Sequence, residues 1–226
     1  MLVDGCLIDV AGKHGPYDLS LSRDLPTILL RGQREHDCIY LDEYQAGYAA
    51  TRHLLELGHT RVAVAHGPLT EPAVAQRIAG YEDAMREAGL ASNALVLPAE
   101  TSSPSNETGS GRSLAYVEHY SRRMPYAKAW FTREDRPTAV LGAWFTDAML
   151  VQAAVLRAGL SLPDDVALMA IHDHSLNPGF PITTFFSSMT RFGRIVAEMM
   201  LEKLDNPHAR LTPVVQKYEL LRGLTT

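Results

Sequence analysis

The chain has 226 residues, of which 46% are hydrophobic and 21% charged, as in ordinary globular proteins. Lys and Arg number 21 against 26 Asp and Glu, which gives a formal net charge of −5. This charge argues against a free-standing nucleic-acid-binding domain, because such domains usually carry a basic excess. The length suits one large domain or two modest lobes.

The two cysteines, Cys6 and Cys38, lie in apolar runs and form no metal-ligand spacing. They therefore indicate buried thiols in a reducing compartment. The N-terminus has neither a basic region nor a small-residue cleavage site, and no apolar run approaches the ~20 residues that span a bilayer. We expect a cytoplasmic protein that needs no cofactor and no metal.

Apolar runs that predict strands alternate with helix-length amphipathic segments along the chain. In chain order, the pattern predicts strands over 2–10, 27–30 and 38–41, a helix over 44–57, a strand over 61–65, a helix over 72–87, a strand over 94–98, a helix over 113–123, a strand over 139–143, a helix over 146–158, a strand over 166–171, a helix over 191–204 and a last strand over 214–221. The segment 101–111, rich in Ser, Thr, Asn and Gly, predicts a loop.

This alternation predicts an α/β fold with parallel sheets flanked by helices on both faces. Ligands of such sheets bind beyond the carboxyl ends of the strands. The residues of interest should therefore follow strands, around Asp9, Gly67, Trp144 and His172.

Five motifs occur in an order typical of one protein family. The first motif starts at Gly58 as GHTRVAVAHGPL and continues through AQRIAGYEDAMREAG, which contains Arg77. Further on come RPTAVLGAW, then AGLSLPDDVALMAIHD, then PITTF at 181–185 and the terminal LLRGLTT. Together, these motifs resemble the LacI/GalR family of bacterial transcription regulators.

The resemblance implies a two-lobed, periplasmic-binding-protein-like fold with chain crossovers near Asp42, Phe186 and Leu211. Residues 1–41 and 188–208 would form the N-terminal lobe, and residues 42–187 and 209–226 the C-terminal lobe. A small effector, such as a sugar or a related metabolite, would bind between the lobes. Closure of the lobes would then change the affinity for operator DNA.

The chain also departs from the family pattern. Family members begin with a helix-turn-helix headpiece, which this sequence lacks, and VDGCLIDV matches their third core strand. We therefore expect an incomplete N-terminal lobe with three strands and contact with DNA only through the missing headpiece. An open sheet edge is prone to association, so a homodimer is expected.

Arg77 matches the family arginine that reaches into the effector cleft. Its planar guanidinium suits ligand hydroxyls or carboxylates. The alternative is an exposed helix arginine that pairs with Glu82 or Asp83. The cleft interpretation predicts that Arg77→Ala weakens effector binding without unfolding the protein.

Trp144 and Phe145 stand where the family usually has Asn-Asp. Two aromatics at a strand end could stack on a sugar or a base. A gapped alignment would instead give the acidic role to Asp147, and both aromatics could simply belong to the core.

His172 and Asp173 follow the next strand, and the family usually has an aspartate at the first of these positions. His172 could also hold a metal together with His174, although no third ligand is in sight. Asp9 and Lys13 follow the first strand and are either cleft residues or solvated loop charges. We interpret His59 and Arg61 as structural.

The function that these patterns favour is the effector-sensing core of a regulator, most commonly a repressor, without catalysis. No nucleophile elbow, P-loop or dinucleotide fingerprint is present in the sequence. Two alternatives stay open. One is a small α/β enzyme with His172, Asp173 and Glu43 as acid and base. The other is a headless paralogue that dimerises with a full-length regulator.

Overall fold

A computed structural model describes residues 4–10, 25–31, 36–69, 71–98, 110–172 and 182–226. Its elements in chain order are β1 (Cys6–Asp9), β2 (Thr27–Leu30), β3 (Cys38–Leu41), α1 (Glu43–Glu56), β4 (Val62–His66), α2 (Pro72–Glu87), β5 (Ala94–Val96), α3 (Ser110–Phe131), β6 (Ala139–Gly142), α4 (Phe145–Arg157), β7 (Ala167–His172), β8 (Thr183–Phe186), α5 (Met189–Asp205), β9 (Val214–Gln216) and β10 (Glu219–Leu221).

The chain divides into two compact units. Among the described residues, the first unit contains those up to Asp42 together with Phe186–Glu219, and the second contains the rest. The chain thus passes from one unit to the other at Asp42/Glu43, at Phe185/Phe186 and at Glu219/Leu220.

The first unit is a four-stranded sheet in the order β1-β2-β3-β9, in which all three neighbouring pairs are parallel. Helix α5 packs on β2 and β3. Its core joins Ile28, Ile39 and Leu41 of the sheet to Phe192, Val196 and Met199 of the helix. Ser188 caps the helix, since its hydroxyl accepts a hydrogen bond from Arg191 N at 3.2 Å.

Two expectations about this unit need correction. Three strands were predicted, and a fourth is present, because β9 pairs with β3 from Ile39↔Val214 to Leu41↔Gln216. The same pairing places 209–219 in the first unit, whereas the predicted division put 209–226 in the second lobe. The predicted strand over 214–221 is therefore two strands that belong to different sheets.

The second unit is a six-stranded sheet in the order β10-β8-β7-β6-β4-β5. Strands β5, β4, β6 and β7 pair in parallel, and every residue of β4 and β6 is buried. Burial on both sides is typical of a parallel strand covered by helices on both faces. Alternate residues such as Ala63, Val140 and Leu168 pack in one core with α3 and α4. The predicted α/β fold class is confirmed.

Helices α1 and α2 cross at very close range. A Cβ built on Gly47 would lie 2.0 Å from the carbonyl oxygen of Arg77, and one on Gly80 would lie 2.1 Å from that of Tyr44. No side chain fits at either position, so the two glycines fix the spacing of the helices. This spacing sets the position of the α2 backbone at Arg77.

The sequence patterns did not predict the full length of α3 or the strand β8. The predicted helix over 113–123 is part of the longer α3, which continues through Pro125. Burial of Met124, Ala127 and Phe131 against the sheet offsets the lost backbone hydrogen bond. The PITTF motif at 181–185 holds most of β8, which was not predicted as a strand. Among the described residues, no helix combines the length and apolar character that crossing a bilayer requires.

Candidate functional site

Charged and aromatic side chains gather at the carboxyl edge of the second unit's sheet. Strands β4, β6 and β7 end there at His66, Gly142 and His172. Ala143 and Trp144 follow β6 and lead into α4. The predicted residues Arg77, Trp144, Phe145 and His172 all belong to this unit.

Arg77 is the centre of the cluster and is almost completely buried, with 1% of its surface exposed. Its Nε donates to Glu43 Oε2 at 2.7 Å, and its Nη1 donates to the carbonyl oxygen of Ala143 at 2.6 Å. The interpretation as an exposed arginine pairing with Glu82 or Asp83 is therefore wrong. Arg77 connects the first residue of α1 to the chain that leaves β6.

Trp144 lies directly against this arginine. The guanidinium carbon of Arg77 is 4.0 Å from the centroid of the Trp144 ring, which is a close cation–π contact. Trp144 precedes α4, and Asp147 Oδ2 accepts its backbone N–H at 3.2 Å. The indole is half-buried, so part of its surface remains open to solvent.

A second buried cation, Arg123 of α3, lies at the same edge. Its Nε donates to the carbonyl oxygen of Pro98 at 3.0 Å, and its Nη1 is 3.8 Å from Asp147 Oδ1. A Cβ built on Gly67, just after β4, would be 3.6 Å from Arg123 Nη2. Asp147 therefore joins an arginine to the start of α4. The effector-binding role that the gapped alignment gave to Asp147 stays a prediction.

Arg123 was missed by the sequence analysis, although a signal exists. It lies on the helical face that carries Tyr120, Ala127 and Trp130, at the spacing i−3, i+4 and i+7. These three residues pack against the core. An arginine inside such an apolar stripe needs a buried partner, and its partner lies on another helix that local spacing cannot reveal.

Phe145 and His172 stack across the ends of β6 and β7. Their ring centroids are 4.7 Å apart and the rings are inclined by 30°. Phe145 also packs against the core, so the alternative of a core aromatic holds for part of its surface. Asp173 and His174 lie outside the described residues.

Asp9 is at the corresponding edge of the first unit. It forms an ion pair with Arg31, whose Nε donates to Asp9 Oδ1 at 3.2 Å. Arg31 has a φ of 58°, in the left-handed region that few non-glycine residues adopt. Asp9 thus belongs to an ion pair at the ends of β1 and β2. This pair is part of the first unit, whereas the Arg77 cluster is part of the second. Lys13 is outside the described residues.

His59 and Arg61 connect the end of α1 to the start of β6. The Nδ1 of His59 and the Oγ1 of Thr138 are hydrogen-bonded at 3.2 Å, and Arg61 Nε donates to the carbonyl oxygen of Arg136 at 3.1 Å. Burial lowers the pKa of His59. In the part of the chain that the structure describes, no group of three or more His, Cys, Asp and Glu could hold a metal.

Comparisons with known proteins agree with this architecture. The family model for the periplasmic binding protein-like domain matches residues 51–226. The ribose operon repressor of Haemophilus influenzae is 25% identical over 94% of this chain and 61% of its own length. The PurR repressor of Aliivibrio salmonicida is 28% identical over 91% of this chain and 59% of its own length.

A solved structure shows the same fold. A LacI family transcriptional regulator from Enterococcus faecalis with bound ribose superposes with a TM-score of 0.74 at 19% identity. The match covers 100% of this chain and 78% of that one. The ribose operon repressor and the PurR repressor confirm the resemblance to LacI-type regulators. The chain spans about three fifths of the length of these two relatives. Because the family model covers most of the sequence, the chain belongs to the family of periplasmic binding protein-like domains.

Proposed function

We propose that this chain is the effector-sensing core of a bacterial transcription repressor. The observation that supports an effector site is the Glu43–Arg77–Trp144 assembly at the carboxyl edge of the second unit's sheet. Sheets of this kind bind ligands at that edge. The curated relatives are repressors, which supports a regulatory use of the site.

The site residues of this proposal are Arg77, Trp144, Phe145 and His172. Asp9 and Asp173 stay in the proposal as further effector contacts, on the family pattern alone. The effector class is a sugar or a related small metabolite. Its binding would change how the two units are arranged and so the affinity for operator DNA.

The remaining parts of the proposal concern partners. A helix-turn-helix segment of the kind that the PurR relative's name denotes would read the operator, and the regulator would act in the cytoplasm as a homodimer. Molar mass measured by light scattering at several concentrations tests the dimer. A single monomeric mass at every concentration would exclude it.

The enzymatic alternative has weaker support. Glu43 is bonded to Arg77, so its carboxylate is committed to an ion pair. The His172 ring stacks on Phe145. A general acid or base transfers a proton to or from a substrate, whereas the contacts described for Glu43 and His172 are with other side chains of the chain. We therefore advance no second function.

The proposal is tested on the protein expressed from its own gene with an affinity tag at the C-terminus. Chromatin immunoprecipitation should recover a small set of promoter fragments, and growth on the effector should reduce their recovery. Arg77→Lys should keep the fragments and weaken the response. Recovery of no specific DNA, alone or through a partner, would contradict the proposal.

A further inference from the structure

Helix α1 presents two stripes of side chains. One stripe, from Glu43 to Leu54, is buried where the helix packs on the sheet and on α2. The other stripe has the same helical spacing and lines a cleft; its members are Gln45, Tyr48, Ala49, Arg52, His53 and Glu56. Phe185 of β8 and Leu220 of β10 complete this α1 cleft, whose volume is about 580 Å³.

The cleft arises because the sheet of the second unit extends past α1. This helix packs over β4, β6 and β7, and α2 lies at its side over β4. In the other direction the sheet continues from β7 to β8 and β10, the strands that supply Phe185 and Leu220. Ala49 lies in the middle of the lining stripe, so the surface of the helix is low at that point.

Arg52 can exchange its present partner for a ligand. Its Nη2 lies 3.7 Å from Glu56 Oε1, which is longer than a hydrogen bond, and 43% of its side chain is exposed. Exposed ion pairs of this kind contribute little to stability. The planar guanidinium matches the geometry of a carboxylate. Binding of a carboxylate to Arg52 therefore costs the fold little, in contrast to the buried pair of Arg77.

The charges around the cleft favour an anion. Burial and, second, the positive charge of Arg222 lower the pKa of His53 below its ordinary value of 6.5. His53 is therefore mostly neutral at pH 7 and can both donate and accept a hydrogen bond. Glu56 is the one acid among the described lining residues, against the cations Arg52 and Arg222. This side of the unit thus carries a net positive charge, which attracts anions.

The aromatic residues of the cleft suit a flat apolar body. Tyr48 is held in place because its hydroxyl donates to Glu87 Oε2 of α2 at 2.5 Å. Its ring also stacks on Tyr44, with centroids 6.3 Å apart. Phe185 is half-buried and adds a second ring to the lining. Fixed aromatic rings recognise planar ring systems through offset or edge-to-face contacts.

We propose that the α1 cleft is a second ligand site and that it binds a small aromatic carboxylate, with the carboxylate on Arg52 and the ring against Tyr48 and Phe185. This site goes beyond the proposed function, because none of the described effector-site residues lines the cleft. Gln45 follows the chain passage at Asp42/Glu43, and Phe185 and Leu220 adjoin the other two passages. A ligand in the cleft would therefore contact residues beside all three passages.

Three probes separate the charge of the ligand from its ring. They are 1-naphthoate, the neutral 1-naphthamide and acetate, each titrated into the full chain and followed by the backbone amide signals in NMR spectra. Naphthoate should shift the amides of α1 and β10 in a saturable manner. Naphthamide should bind roughly 5- to 10-fold more weakly, because it lacks the charge that pairs with Arg52. Acetate, which lacks the ring, should give no saturable shift.

Two variants test the assigned contacts. Arg52→Met should weaken the binding of naphthoate by roughly 5- to 10-fold and leave that of naphthamide unchanged. Ala49→Leu should block both probes, because the larger side chain fills the cleft. The matched control is Arg86→Met, which removes an exposed arginine of α2 that pairs with Asp83. This control should bind both probes as the parent does.

The inference is overturned if naphthoate does not bind the folded chain, if Arg52→Met binds it as tightly as the parent, or if the shifts gather around Trp144 instead of α1. It is also overturned if the α1 amides shift with protein concentration in the absence of a probe, since a second copy would then cover the cleft. If Ala49→Leu does not fold, the comparison of naphthoate with naphthamide in Arg52→Met decides. None of these outcomes bears on the proposed function, which promoter recovery tests separately.

Discussion

At the scale of single residues, the stability of the second unit should be sensitive to the buried ion pair of Arg77 and Glu43. The sequence analysis expected Arg77→Ala to weaken effector binding without unfolding the protein. Because both partners are buried, we expect instead that Arg77→Ala destabilises the fold, since removal of one partner leaves the other charge buried and unpaired.

Arg77→Ala should lower the free energy of unfolding by about 3–5 kcal/mol. Arg86→Ala on the same helix should cost less than about 1 kcal/mol, since Arg86 pairs with Asp83 in solvent. Urea unfolding followed by circular dichroism measures both. Equal losses in the two variants would show that the buried pair has no special role.

The double variant Arg77→Met with Glu43→Gln should be more stable than the sum of its single changes predicts.

A second residue-scale prediction concerns pH. Burial lowers the pKa of His59 in the folded chain below its ordinary value of 6.5. The unfolded chain therefore binds more protons in that window, and the free energy of unfolding should fall as the pH drops from about 7 toward 5. Denaturant unfolding across this range should show a flatter profile for His59→Asn. A His59→Asn profile as steep as that of the parent would contradict the assignment.

At the scale of elements, the crossing of α1 and α2 depends on two glycines that no side chain can replace. A Cβ on Gly47 would lie 2.0 Å from the backbone oxygen of Arg77, a distance that requires the helices to separate. Other helical glycines are different, because a Cβ on Gly193 of α5 would meet nothing within 4 Å.

Gly47 and Gly193 therefore give opposite predictions. Gly47→Ala should destabilise the chain by at least about 1–3 kcal/mol through overpacking. Gly193→Ala should stabilise it by about 0.5–1 kcal/mol, because alanine loses less entropy in a helix. Thermal melts of the two variants beside the parent measure this, and a melting temperature that rises for Gly47→Ala would refute the close crossing.

At the scale of the whole molecule, each unit has a hydrophobic core of its own among the described residues. The core of the first includes Ile39 and Phe192, and the core of the second includes Val140 and Leu168. The two sets share no residue, so we expect local stability to change within one unit at a time.

Ile39→Ala should cost about 2–5 kcal/mol in the first unit. Hydrogen exchange should then accelerate in β2 and β3 and stay unchanged in β6 and β7. Leu168→Ala should give the reverse pattern. Acceleration across the whole chain in both variants would show that the two cores unfold as one.

The fold could be predicted from the sequence because its signals are local. Apolar runs and helical spacing found α2 at Pro72–Glu87 and β3 at Cys38–Leu41 with their observed bounds. The non-local parts could not be predicted. Strand β9 pairs with β3, which is far away in sequence. Arg123 forms an ion pair with Asp147 on another helix. Strand partners and ion pairs of this kind depend on packing, which periodicity does not encode.

The Gly47 contact also has a consequence for how the site can evolve. The backbone oxygen of Arg77 lies against Gly47, while the side chain of the same residue supports Trp144. The orientation of the indole thus depends on a residue at a helix crossing. In a saturation library selected for response to the effector, we expect position 47 to return only glycine. Selection for folded protein alone should recover compensated variants there, with the crossing widened and the response lost.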